Sequence, residues 1–532
     1  MEADLVLANG QIITMNPSKP NAEAVAIKNG KIIGVGEWNE VVGYVGGSTK
    51  IIDLKGKTVI PGLIDAHIHV ADFGRTLSWV ELSDAKSIEE VKEKIRVYSK
   101  NVPKGKWIIG YGWNENNFKE KRCLNAKDLD KAAMDNPVVL YRQQGRVCAV
   151  NSKALELAGI TKETSSPPNG EIEKDPQTGE PTGILRESAT DLLWKIIPEP
   201  SVEENIDNVK LAFQKILEAG ITSIHWIVLS PYEIQIIKNI CVRNDLPLRI
   251  YLIIPANLLE AIGSLCLEKE SAWEMFKVGG AIIFADGSLA ARTAALSSPY
   301  KDCPTSKGKI LYTQEKMNEL VFKVHESNLQ LVIHAMGDHA VAMALKAIDE
   351  ALAKMPRKDC RHRIEQAAVL NEKLIRRMKK LKVAVSVQPY LIISEFSVWS
   401  AMDRLGIERA RWLYPLKALF REGITVVGGS DCPMEPLNPL MHIKAAVARQ
   451  FFPEQQITVD EALRMYTINA AYVSFEENLK GSIEKGKLAD LTVLSHNPLE
   501  IPPNEIDSIR VEMTIVGGKI VYSSSLLRDI EK

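Results

Sequence analysis

The sequence has almost no charge imbalance: Lys+Arg 66 stand against Asp+Glu 67, for a formal charge of -1. Without a basic excess there is no electrostatic footprint for nucleic acid or an anionic membrane, and neither is expected as a partner. No apolar run approaches the ~20 residues that span a bilayer. Met1 to Thr14 read as a strand with a turn at Asn9-Gly10, and they lack the basic start and apolar core of a signal peptide. The seven cysteines are odd in number and include no Cys-x-x-Cys pair. A disulfide framework and a thiolate zinc site are both disfavoured, and a reducing compartment suits the chain. These absences lead to the expectation of a cytoplasmic protein with a small-molecule partner, a homodimer being left open.

What is present is a globular composition, 45% hydrophobic and 25% charged, over 532 residues, a length that exceeds one ordinary core. Residues 1 to about 60 carry short alternating apolar segments such as L-V-L-A, Q-I-I-T and K-I-I-G-V-G, broken by Asn-Gly and Gly-Gly. The pattern returns between residues 489 and 522 with A-D-L-T-V-L-S, V-E-M-T-I-V and K-I-V-Y. Neither end holds enough strands for a sandwich, whereas both together do. Residues 1–60 and 481–532 are therefore expected to form one composite β-sandwich.

From residue 205 to 431, β-rich runs alternate with amphipathic stretches at helical spacing, as βα units do. The runs are residues 220–225, 248–254, 281–286, 329–334, 362–366, 383–388 and 424–431. With the strand in Pro61-Gly-Leu-Ile-Asp-Ala-His-Ile-His69 they number eight, which closes a (β/α)8 barrel. The expected fold class is α/β: a distorted (β/α)8 TIM barrel over residues 61–71 and 206–480, the composite β-sandwich, and a large insertion at 72–205 after the first barrel strand. An insertion at that point is expected over the active-site mouth. Within it W-I-I-G-Y-G and P-V-V-L-Y-R read as strands, and the Pro- and Gly-rich segment Ser165 to Gly183 reads as a loop.

Reacting groups in such a barrel sit at the C-terminal ends of its strands. Those ends read His67 and His69, His225, Asp286, His334, Gln366, Gln388 and Asp431. Polar residues closing otherwise apolar strands are costly in a dry core, so their recurrence at one rim points to a metal site. His67 and His69, two apart on a strand, share a face and can offer two imidazoles to one ion. Singly, His334 reads as a hydrogen-bonded core histidine and Asp431 as a turn or helix cap. Taken jointly with His-x-His at one rim, both read as ligands. For His225 a hydrogen bond to the pocket lining is expected.

Five segments carry a resemblance: the His-x-His segment, Asp286-Gly-Ser-Leu through Tyr300, His334-Ala-Met-Gly-Asp338, Gly429-Ser-Asp-Cys-Pro433 and Lys480-Gly-Ser-Ile through Asp490. In this order they resemble the amidohydrolase superfamily, in the branch of N-substituted formamide deformylase-like metal-dependent hydrolases. The likeness runs nearly end to end and includes Gly110-Tyr-Gly-Trp113, Val150-Asn-Ser-Lys-Ala-Leu155 and Pro181-Thr-Gly-Ile-Leu-Arg-Glu187. It implies a barrel with a composite sandwich. It also implies a metal-activated water attacking an amide-type carbonyl, with Asp431 as metal ligand and catalytic proton shuttle.

Three positions depart from that family's pattern. Ile282 stands where similar proteins carry a metal-bridging lysine, Gln366 where the sixth strand ends in histidine, and Arg146 where a histidine is common. His362 cannot substitute for the missing histidine, since four residues along a strand place it ~13 Å away. One divalent metal is therefore expected, held by His67, His69, His334 and Asp431. Three nitrogens and an oxygen suit Zn2+, with Fe2+ or Mn2+ as alternatives. Gln366, Arg292, Arg146 and His225 are the candidate substrate contacts. The expected function is hydrolysis of a carbon-nitrogen bond in a non-peptide amide, formamide, cyclic amide or amidine. The alternative is a catalytically degenerate amidohydrolase-fold binding or scaffold protein that has lost its metals.

Overall fold

The computed structural model describes residues 1–143, 147–168, 170–242, 246–259, 275–398 and 400–524. The chain divides into two compact units, Met1–Phe73 with Val209–Lys532, and Gly74–Asn208.

The first unit contains an eight-stranded parallel sheet whose neighbours follow chain order. Its strands are β1 (Leu63–Ile68), β2 (Ile221–Ile227), β3 (Arg249–Pro255), β4 (Phe276–Phe284), β5 (Gln330–Ala335), β6 (Arg363–Gln366), β7 (Ala384–Val387) and β8 (Val426–Gly428). Most of these strands are buried along their whole length, as parallel strands covered on both faces must be. Helices follow the strands. That of Asp338–Lys354, after β5, buries the stripe Ala340, Val341, Ala344, Leu345, Ala347, Ile348 and Ala351, at the spacing of one helix face.

This unit contains two further sheets. Four strands (Lys31–Gly36, Ala24–Lys28, Leu5–Ala8, Lys50–Asp53) form one sheet. In the other, Leu491–Leu494 pairs antiparallel with Thr58–Pro61, joining early and late chain in six strands. Both sheets feed one apolar core in which Leu5, Leu7, Ile27 and Ile52 meet Val59, Leu491, Val493 and Ile515. Barrel and sandwich are tied by a buried ion pair. Arg249 at the start of β3 donates from Nε to Asp490 Oδ2 at 2.6 Å and from Nη2 to Oδ1 at 3.0 Å, and the Gly517 N–H adds 2.8 Å to Oδ1.

The second unit is a six-stranded sheet that includes Ile108–Trp113 and Val138–Arg142, with apolar cores centred on Ile108, Trp113 and Leu140 and on Val139, Cys148 and Leu185. The segment Ser165 to Gly183 corrects the sequence expectation. Gly170–Lys174 is a strand paired antiparallel with Pro181–Glu187. Pro176 and Gly179 lie in its turn, where Asp175 Oδ1 accepts from the Gln177 and Thr178 N–H groups and Gly179 takes φ +74. Among the described residues no helix is long and apolar enough to cross a membrane.

Arg249 and Asp490 are both almost fully buried. Asp490→Ala leaves the guanidinium without its counter-charge, and its expected cost is about 3–5 kcal/mol in urea-unfolding stability. A loss below 1 kcal/mol would show that the pair does not hold barrel and sandwich together.

Candidate metal centre

The site grows from the inner face of β1. Ile64 and Ala66 pack outward with Val427, Ala470, Ala471 and Val473. The strand's alternation then leaves Asp65, His67 and His69 facing the barrel interior. Asp65 aligns the neighbouring loop: its Oδ1 accepts from the backbone N–H of His67 at 3.0 Å and of Ser430 at 2.9 Å. The Asp431 N–H donates to His67 O at 2.7 Å and the His69 N–H to Cys432 O at 3.0 Å, closing the barrel between β1 and the chain that leaves β8. Glycine is required at 429, since a Cβ there would stand 2.5 Å from His67 Cβ.

This closure delivers Asp431 to both imidazoles. His67 Nε2 lies 3.3 Å and His69 Nε2 3.2 Å from Asp431 Oδ1. The three residues are buried, and their ligand atoms lie within 4.8 Å of one another. Each ring is oriented from behind. His67 Nδ1 donates to Glu365 Oε2 at 2.6 Å, and His69 Nδ1 donates to the Ile227 carbonyl at 3.2 Å. With Nδ1 occupied in both rings, Nε2 is the atom each presents inward, the arrangement that orients metal-binding histidines. Two core histidines satisfied only for packing would have no reason to converge on one carboxylate oxygen.

Electrostatics agree. Burial disfavours charge on the His67 ring, yet the carboxylates of Glu365 and Asp431 push its pKa up to about 10. Asp431, despite its own burial, is held well below the usual carboxylate range by His67 and His69. Glu365 is likewise kept low against its burial by Arg363 and His67. The pocket favours positive charge between Asp431 and the imidazoles, which a divalent cation would supply.

Gln366 ends β6 with φ +69 and donates from Nε2 to Asp431 Oδ2 at 3.2 Å, while the Tyr414 hydroxyl donates to its Oε1 at 3.5 Å. It thus occupies one oxygen of Asp431 and leaves the other to the histidines. His334 does not join the tight cluster. Its ring packs on Phe284, and Nδ1, 3.8 Å from Asp286 Oδ1, has no hydrogen-bond partner among the described residues. Burial and the nearby His67 charge lower its pKa to about 4, so it is a neutral imidazole. Asp286 is committed elsewhere, accepting from the N–H groups of Ala295, Met336 and Gly337 and so stapling the loops after β4 and β5.

His225 accepts at Nδ1 from Arg363 Nη1 at 2.8 Å and lies against Tyr251, fully buried. Arg292 pairs with Asp302 at 2.7 Å in an exposed loop. Arg146 lies outside the described residues. His362 belongs to a separate buried pair, its Nε2 2.8 Å from His325 Nδ1. Glu365 was not singled out from the sequence, although a signal existed. Arg363 and Glu365 are two charged residues in a strand buried at every position, and such charges require partners. Arg363 Nε stands 2.6 Å from Glu365 Oε1.

Comparison with known proteins places this geometry in context. A family described as "Amidohydrolase family" matches residues 50–522. The chain is 34% identical over 532 residues to the amidohydrolase YtcJ of Bacillus subtilis, covering 97% of this chain and 99% of that one. It is 28% identical over 542 residues to the N-substituted formamide deformylase of Arthrobacter pascens, covering 98% of each. Among solved structures, an uncharacterized metal-dependent hydrolase from Pyrococcus furiosus superposes with a TM-score of 0.76 at 31% identity, over 93% of this chain and all of that one.

Glu365→Gln keeps the shape of the side chain and removes the charge that orients His67. Retention of a divalent metal, read by competition with a chelator, is expected to weaken by about 10–100-fold. Unchanged retention would mean that Glu365 serves the core alone.

Proposed function

On the premise that this chain belongs to the amidohydrolase family, and is a metal-dependent hydrolase, we propose that it cleaves a carbon-nitrogen bond in a small non-peptide substrate with one divalent ion. The substrate class is an amide, formamide, cyclic amide or amidine. The observation that carries this reading is the convergence of His67 Nε2 and His69 Nε2 on Asp431 Oδ1, each ring fixed from behind by a bond at Nδ1.

His67, His69 and Asp431 would hold the ion, and His334, neutral and with an unpartnered Nδ1, is the fourth candidate. Three nitrogens and an oxygen suit Zn2+, and Fe2+ or Mn2+ tolerate the same donors. A bound divalent cation supplies Lewis acidity, which lowers the pKa of water towards ~7 and polarises a carbonyl. Asp431 takes the proton of the attacking water and returns it to the leaving nitrogen. Gln366 holds the carboxylate in place for that exchange through its bond to Oδ2. Glu365 keeps the His67 ring aligned throughout.

One ion is favoured over two. Ile282 is buried in an apolar cluster with Ile227, Tyr251, Ile253 and Val332. Two dications ~4 Å apart repel by about 15–20 kcal/mol even at an effective dielectric of ~20, and no anionic bridge can come from an isoleucine. The near-zero net charge agrees with a small-molecule substrate rather than a polyanion.

Elemental analysis of protein purified without added metal tests the proposal directly. About one transition metal per chain is expected, lost together with hydrolysis of simple amides and formamides in His67→Ala. Two metals per chain would overturn the assignment based on Ile282. No metal after reconstitution with Zn2+, Fe2+ and Mn2+ would return the chain to a scaffold role.

A further inference from the structure

Beyond the metal cradle, the segment after β7 contains buried polar atoms that have no hydrogen-bond partner among the described residues. Gln388 is fully buried, and neither Oε1 nor Nε2 has a hydrogen-bond partner among the described residues. It stands two residues beyond Ser386, whose hydroxyl bears on the Glu365 carboxylate. Residues two apart on a strand share a face, so Gln388 continues the inward face of β7 one step nearer the rim that carries His67 and Asp431.

Glu395 lies seven residues further along the same loop, 2% exposed, and its buried Oε2 has no partner. Ser394 beside it donates from Oγ to Glu435 Oε2 at 2.9 Å, joining this loop to the one that holds Asp431, four residues before Glu435. The Tyr414 hydroxyl, which bonds Gln366 above Asp431, sits in the negative field of Glu395, Glu435 and Asp431. The charge of Arg404 acts on Glu395 without a hydrogen bond or ion pair between them, and the hydrogen bonds of the nearby cations go elsewhere. Arg404 donates to the Leu289 carbonyl, and Arg292 is paired with Asp302. Among the described residues neither Glu395 nor Glu435 forms an ion pair.

We propose that Gln388, Glu395 and Glu435 form a receptor for a positively charged nitrogen of the substrate, a primary ammonium or an amidinium, beside the metal cradle. A buried carboxylate with no partner is a standing cost to the fold, and a cationic ligand removes it. An ammonium presents three N–H donors; the Glu395 and Glu435 carboxylates, on segments joined through Ser394, supply acceptors for it, and Gln388 Oε1 at the end of β7 is a further unpartnered acceptor. Burial pushes the carboxyls of Glu395 and Glu435 each up to about 7, so a cation that binds them also draws them into the ionised form. The inference rests on the hydrolase reading above and narrows its substrate to a molecule carrying a cationic group apart from the bond that is cut.

Calorimetric titration of the full-length, metal-replete protein at pH 8 tests it with two pairs of probes matched in shape, benzylamine against benzyl alcohol and benzamidine against benzamide. The cation of each pair is expected to bind at least about tenfold more tightly than its neutral partner. Glu395→Gln and Glu435→Gln are each expected to abolish most of that advantage, with the affinity of the neutral probe unchanged. Because Glu395→Gln replaces an unpaired buried charge, its melting temperature should equal or exceed that of the parent, and Glu435→Gln carries the test if it does not fold. Cations and neutral probes binding alike, or an advantage that survives both substitutions, would overturn the receptor. Metal content of the same preparation separates this outcome from failure of the hydrolase reading, which would show as absent metal.

Discussion

Glu365 sits inside the barrel between a guanidinium and an imidazole, with its two oxygens divided between Arg363 and His67. Its charge reaches the rim in two steps: Glu365 fixes His67, and His67 faces Asp431. Arg363 is anchored in turn by the Ala66 carbonyl of β1 and by His225 of β2. One chain of contacts thus links β6, β1 and β2 to Asp431, three residues beyond the end of β8. A low-dielectric interior makes each of these interactions strong, and leaving any one unpaired expensive, so they set ring orientation firmly.

The same place closes the barrel. Where β8 meets β1, Asp65 replaces strand ladder by accepting from the N–H groups of both His67 and Ser430. Gly429 allows the two backbones to approach within the distance those bonds require. Fold closure and assembly of the three donor atoms are therefore one event. A protein with an open seam at β1 and β8 would have separated His67 from Asp431.

Around this rigid part the rim is under-satisfied. His334 Nδ1, Gln388 and Glu395 Oε2 are buried without partners among the described residues, and of the carboxylates beneath them Asp286 bonds through both oxygens while Asp65 and Glu365 each bond through one, leaving Asp65 Oδ2 and Glu365 Oε1 without a hydrogen bond. Each of the orienting carboxylates makes at least one bond that positions the site, whereas His334 Nδ1 and both ends of the Gln388 amide make none. Gln366 belongs to the first kind. Its amide is engaged with Asp431.

The eight strands were legible because each parallel strand is a short apolar run, and because inward polar residues fall at its end, as with His225, His334 and Asp431. The pairing of the two termini was legible because neither could cover its own apolar face. The hairpin at Gly170–Lys174 was not, since its turn residues outweigh its single buried Ile172 in any local reading. Nor could the sequence tell that Arg292 is spent on Asp302. By itself the sequence determined which residue types reach the rim, because periodicity is local. Which atoms of those residues face one another was decided only by tertiary structure. A hydrogen bond such as His67 Nδ1 to Glu365 joins positions 298 apart in the chain, and its geometry depends on all the strands between them.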